Sequence, residues 1–149
     1  CLRISVARCP MVRRKWIFLC LLILIILIII CFIFKPVTVS NFSDVLLHVE
    51  ATASNHLIIS IENKTNVEVT YSEVFHIEKR SFLGWHRILI APTTFPTVSC
   101  FLGPGEESSP MTINYEATYG VLPKGQYRLI KEFNIAEETV TIAGYFDIT

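Results

Sequence analysis

Between Trp16 and Phe34 the chain has no charge, no glycine, no proline and no polar residue beyond Cys20 and Cys31. That absence excludes a half-wet surface helix. Nineteen residues rising about 1.5 Å each reach about 28 Å, close to the ~30 Å hydrocarbon core of a bilayer. Backbone in lipid must satisfy its own hydrogen bonds, so the run is expected to be helical despite its many isoleucines. Small residues are missing where a signal peptide would be cut. The apolar core of such a peptide is about 7 to 15 residues and ends in an Ala-x-Ala-like site; this run is longer and ends Cys31-Phe32-Ile33-Phe34-Lys35-Pro36. Leu19 and Ile30, which precede the two cysteines, are too bulky for a lipidation signal. The expectation is an uncleaved signal-anchor.

Acidic residues are missing on one side of the run. The first fifteen residues hold Arg3, Arg8, Arg13, Arg14 and Lys15 and no acid, a charge of +5. After the run come eight Lys or Arg against all thirteen Asp and Glu, a net of −5. Cationic flanks stay cytoplasmic, so the expected topology is single-pass in the cell membrane, with the C-terminal part extracytoplasmic. The basic cluster suits the lipid bilayer as a partner. It is too short, and the rest too acidic, for nucleic acid. Residues 1–10 begin with Cys rather than Met, and Met11-Val12-Arg13-Arg14-Lys15 resembles a natural start. Residues 1–10 are therefore expected to be upstream of the native N-terminus.

Cysteine is scarce after the run. Cys100 is alone there, which excludes an internal disulfide or a Cys-based zinc site in that part. Catalytic motifs are also lacking. No Gly-x-Ser-x-Gly elbow, P-loop or dinucleotide fingerprint occurs. His48-Val49-Glu50 has a deaminase-like spacing but no Pro-Cys-x-x-Cys follows. His76 and His86 are expected to face each other across a hairpin, without the further ligands a metal needs. No enzyme activity, cofactor or metal is expected. Asn41-Phe42-Ser43 and Asn63-Lys64-Thr65 are N-glycosylation sequons on paper.

What is present after residue 35 is period-two alternation. Leu57, Ile59 and Ile61 alternate with Ile58, Ser60 and Glu62. Val67, Val69 and Tyr71 form a second series, Phe75 and Ile77 a third, and Met111, Ile113 and Tyr115 a fourth. Further runs cover Val45–Thr52, Trp85–Ile90, Pro96–Leu102, Gln126–Phe133 and Thr139–Ile148, the last with Ile142, Phe146 and Ile148 on one face. A longer loop is expected over Ala91–Phe95, and Glu116–Tyr119 is the one place for a helical turn. Such strands, with turn signals every 8 to 15 residues, predict an all-β fold: a two-sheet antiparallel sandwich, with a small closed barrel as the alternative. Gly125-Gln126-Tyr127 at the start of a late strand has the form of a tyrosine corner, with Gly125 and Tyr127 as structural residues.

The segments Asn63–Tyr71, Phe75–Lys79 with Gly84-Trp85, Gly103-Pro104-Gly105-Glu106 and Tyr119–Phe133 resemble the bacterial immunoglobulin-like domain of small extracytoplasmic proteins, often lipoproteins, of Gram-positive bacteria. The resemblance covers most of residues 45–149. It implies an immunoglobulin-like β-sandwich outside the cytoplasm, with no settled catalytic role. The expected organisation is a basic cytoplasmic segment (1–15), a transmembrane helix (16–34), a juxtamembrane linker (35–44) and the sandwich (45–149). The expected function is a non-catalytic binding or interaction module for an unidentified protein or cell-envelope partner. The alternative is an extracytoplasmic protease inhibitor or regulator presenting a loop. Phe82, Leu83 and Trp85 flank Gly84 at a hairpin and are the expected partner patch.

Overall fold

The alternation of Leu57, Ile59 and Ile61 becomes the inner face of a strand, and similar patterns repeat along the chain. The structure is a computed structural model that describes residues 10–33, 35–53, 55–89 and 98–149. Residues 1–9, Phe34, the end of the expected strand at Ile90, the expected loop over Ala91–Phe95 and the expected strand start at Pro96 lie outside the described residues. The chain divides into two compact units, 1–35 and 36–149.

In the first unit α1 runs Pro10–Ile33. Its described side chains, Trp16 to Ile30, are exposed, apolar ones all round the helix. Among the described residues no helix is long and apolar enough to cross a membrane.

The second unit is a sandwich of two antiparallel sheets. One sheet joins β1 (Val45–Ala51), β2 (His56–Asn63) and β7 (Met111–Asn114) in the order β1-β2-β7. The other is built on β8 (Gly125–Ile135), whose whole length pairs with β9 (Glu138–Ile148) along one edge. Along its other edge β8 pairs with both β3 (Val69–Ser72) and β4 (His76–Ser81). These two are therefore one strand, broken between Ser72 and His76. Outside them β6 (Ser99–Leu102) flanks β3 and β5 (Gly84–Arg87) flanks β4. α2 (Glu116–Tyr119) is the expected single helical turn.

The break is a bulge. From Tyr71↔Phe133 to His76↔Ile130, residues 72–75 oppose only residues 131–132. An unequal count of this kind bends a strand and releases backbone groups from the ladder.

The core lies between the sheets. Leu57, Ile59 and Ile61 face Val69, Ile77, Tyr127, Leu129 and Phe133, all buried. Near the other side of the sandwich β1 and β9 approach so closely that only Gly144 fits. A Cβ there would sit 2.6 Å from the carbonyl oxygen of Leu47. The alternation predicts Leu57, Ile59, Ile61, Val69 and Ile77 on the buried faces correctly. It places Val67 wrongly on the buried series, since Val67 is 37% exposed and β3 begins only at Val69.

The expected linker, 35–44, is partly a component of the sandwich. Ser40 N–H donates to the Thr141 carbonyl at 2.8 Å, and Thr141 N–H donates to Ser40 Oγ at 3.0 Å. Val37 is held more firmly still, by two buried charged side chains.

Candidate functional site

Among the described residues, the turn between β4 and β5 is the most exposed apolar point of the sandwich. Ser81 pairs with Gly84, leaving Phe82 and Leu83 as a two-residue loop. Gly84 has φ +107°, a conformation that favours glycine. Ser81 Oγ donates to the Gly84 carbonyl at 3.1 Å and accepts the Leu83 N–H at 3.2 Å. These bonds fix the turn and leave Phe82 95% and Leu83 84% exposed.

Trp85, expected beside them in the patch, is directed elsewhere. It is half-buried on the outer face of the sheet. Its ring lies 4.8 Å from the Arg128 guanidinium, 5.9 Å from that of Arg80 and 5.7 Å from the Tyr145 ring. The expected patch thus separates into an apolar tip, Phe82 and Leu83, and an aromatic-cationic shelf around Trp85. A shallow cavity of about 360 Å³ runs along this shelf past Gln126 and Asp147.

Beneath Trp85 is a buried ion pair. Arg128 is 6% exposed and Glu78 is fully buried. Arg128 Nε donates to Glu78 Oε2 at 2.8 Å. The Val37 N–H donates to Glu78 Oε1 at 2.6 Å, and Arg128 Nη2 donates to the Val37 carbonyl at 3.1 Å. Nothing in the sequence marked this clasp, because Arg128 sits where alternation predicts a solvent-facing charge.

The tyrosine corner is present. Tyr127 is buried and its hydroxyl donates to the Pro123 carbonyl. Gly125, at φ +150°, admits Lys79 so closely that a Cβ would meet Lys79 Cε at 3.1 Å. Lys79 Nζ in turn lies 5.5 Å over the Tyr127 ring.

The histidines are not brought together. His86 is opposite Lys79, whereas His76 meets Arg87, whose Nη2 lies 2.7 Å from Nδ1. Burial first, and then the Arg87 charge, lower the His76 pKa. His48 lies 3.6 Å from Glu62 at the surface. Among the described residues no cluster of three metal-ligating side chains occurs.

Asn63, half of one paper sequon, is buried and fully engaged. Its Nδ2 donates to the carbonyls of Val67, Leu102 and Gly103 at 2.9 to 3.0 Å, and its Oδ1 accepts from Thr65 N–H and Oγ1. That side chain is a turn-organising hub and is closed to a glycan.

A profile of the bacterial Ig-like domain matches residues 44–147. The chain belongs to the bacterial Ig-like domain family. No curated protein matches the chain. An Ig-like domain, with its two-sheet antiparallel sandwich, suggests a non-catalytic binding module. The matched span begins at the residue before β1, so the clasped residues 37–40 precede it.

Proposed function

We propose that this chain is a membrane-anchored, extracytoplasmic Ig-like module that binds a protein or cell-envelope partner without catalysis. The observation that carries the binding role is the β4–β5 tip. Two large apolar side chains, 95% and 84% exposed, stand on a turn held by its own hydrogen bonds. A preformed apolar projection loses little conformational freedom when it is covered. The adjoining shelf of Trp85, Arg80 and Tyr145 has the residue types enriched at binding hot spots.

The anchoring role rests on the sequence. The uncharged run Trp16–Phe34 and the split of +5 before it against −5 after it support a single span with the domain outside. Proteolytic shaving of intact cells tests the topology: loss of residues 36–149 with retention of the N-terminal segment is expected, and full protection overturns it.

The tip is tested by placing a photo-crosslinking side chain at position 82 and identifying what it captures in intact envelopes. A partner whose capture is lost in a Phe82→Ser/Leu83→Ser chain of unchanged unfolding midpoint is expected. Equal capture from a site on the opposite sheet would reject the tip. Trp85→Ala separates the shelf from the tip, since a large fall in its midpoint marks Trp85 as structural. Capture of a protease, with inhibition of its activity, would favour the inhibitor reading over a simple adhesive one.

A further inference from the structure

Lys131 lies on β8 with its side chain directed between the sheets, a position usually reserved for an apolar residue. It is 2% exposed. The bulge between β3 and β4 accounts for how it is tolerated. Carbonyls released from the ladder at Ser72 and Val74 accept from Lys131 Nζ at 2.7 and 3.3 Å. The Tyr71 ring lies 5.6 Å away and offers its π face. These partners are neutral. Among the described residues no carboxylate lies within ion-pair distance of Lys131, in contrast to Arg128, which has Glu78.

Beside the ammonium is a cavity of about 470 Å³, within the ~300–1,000 Å³ common for small-molecule sites. Ile59, Met111 and Ile113 line it from one sheet, and Tyr71, Phe75 and Lys131 from the other. Glu73 lies at its exposed rim. An ammonium has three N–H groups and Ser72 and Val74 take two. The remaining N–H, the positive charge without a buried counter-charge and the apolar walls specify an occupant from three directions.

We propose that this cavity binds a small carboxylate with an apolar body, its carboxylate on Lys131 and its body against Ile59, Met111 and Ile113. Glu73 at the rim and Cys100 on β6 already act on the Lys131 charge, and a bound carboxylate would add a counter-charge from inside the cavity. An anion in low dielectric beside a buried cation is attracted far more strongly than in water. A neutral alcohol of the same shape lacks that term, and an amine adds repulsion. The site is a half-open groove between the sheets and does not depend on the tip.

Hexanoate is the probe, with hexan-1-ol and hexylamine as controls. The full chain, labelled with ¹³C-lysine and held in nanodiscs, is titrated while the Lys131 Cε resonance is followed across pH, with protein-free nanodiscs as the blank. Hexanoate is expected to give a saturable shift and to raise the Lys131 titration midpoint by about one unit, a tenfold preference for the charged form. The alcohol and amine are expected to leave the midpoint unchanged. Ile113→Trp fills the cavity and keeps Lys131, so the hexanoate response should vanish. Lys131→Met should weaken hexanoate at least about tenfold, read from the ligand's own resonances. If that variant does not fold, Ile113→Trp and a second filling variant, Met111→Trp, decide. An equal response to hexan-1-ol, no response to hexanoate, or a response that survives filling would overturn the proposal.

Discussion

Glu78 and Arg128 close on the backbone of Val37, one on each of its two flanking peptide groups. The carboxylate accepts its N–H at 2.6 Å and the guanidinium donates to its carbonyl at 3.1 Å. Removing one partner leaves the other charge buried without its counter-charge, which costs about 3–5 kcal/mol. Glu78→Ala should therefore lower stability by about that amount in urea unfolding. A Glu78→Leu/Arg128→Met chain should lose much less, because no orphan charge remains. Deleting the chain through Ser40 should destabilise too, a result a passive linker would not give.

Asn63→Ala should be costly for a different reason. Its amide serves the carbonyls of Val67, Leu102 and Gly103, and the variant leaves them without that donor. The buried Leu102 carbonyl and the part-buried carbonyls of Val67 and Gly103 lose this donor at once, so a loss of about 2–3 kcal/mol is expected. Asn63→Asp should not restore it, since a carboxylate accepts where a donor is needed.

The pH dependence follows from Lys131. Burial brings its pKa down from 10.5 to about 8. Between those values the unfolded chain holds a proton that the folded chain has released, so stability rises with pH through this window. The climb is about 3 kcal/mol at most. Tyr119 acts in the opposite sense, because burial raises its pKa from 10.0 to about 12. Above pH 10 the folded chain keeps a proton that the unfolded chain loses, and stability falls. A maximum in the unfolding midpoint near pH 10 is expected, and Lys131→Met should remove the climb and leave the fall.

Gly144→Ala should strain the approach of β1 to β9. The new Cβ meets the Leu47 carbonyl oxygen at 2.6 Å, a backbone atom that cannot rotate away. A loss of about 1–3 kcal/mol is expected, with the fold otherwise retained by circular dichroism.

Alternation made the inner faces of β2 and β9 legible, and Gly125 before Tyr127 disclosed the corner whose hydroxyl reaches Pro123. The same rule failed at Arg128 and Lys131, which alternation alone cannot identify as buried charges. Arg128 is on the outward face, but Trp85 and Val37 cover it. Lys131 is on the inward face, and its tolerance there depends on a break in a neighbouring strand far away in sequence. Both depend on contacts between distant segments, and local periodicity carries no information about those. The tip was legible as a glycine beside two large apolar residues; the turning of Trp85 away from it was not, since its partners Arg128 and Tyr145 come from β8 and β9.

The outermost strands on one side of the sandwich, β5, β6 and β7, are four residues each. A sheet rim this short gives a second chain few free peptide groups to extend, and short rims are one way natural sheets avoid joining end to end. On the opposite side β1 and β9 lie against each other at Gly144. Many copies crowded together should therefore remain separate molecules rather than grow into fibrils.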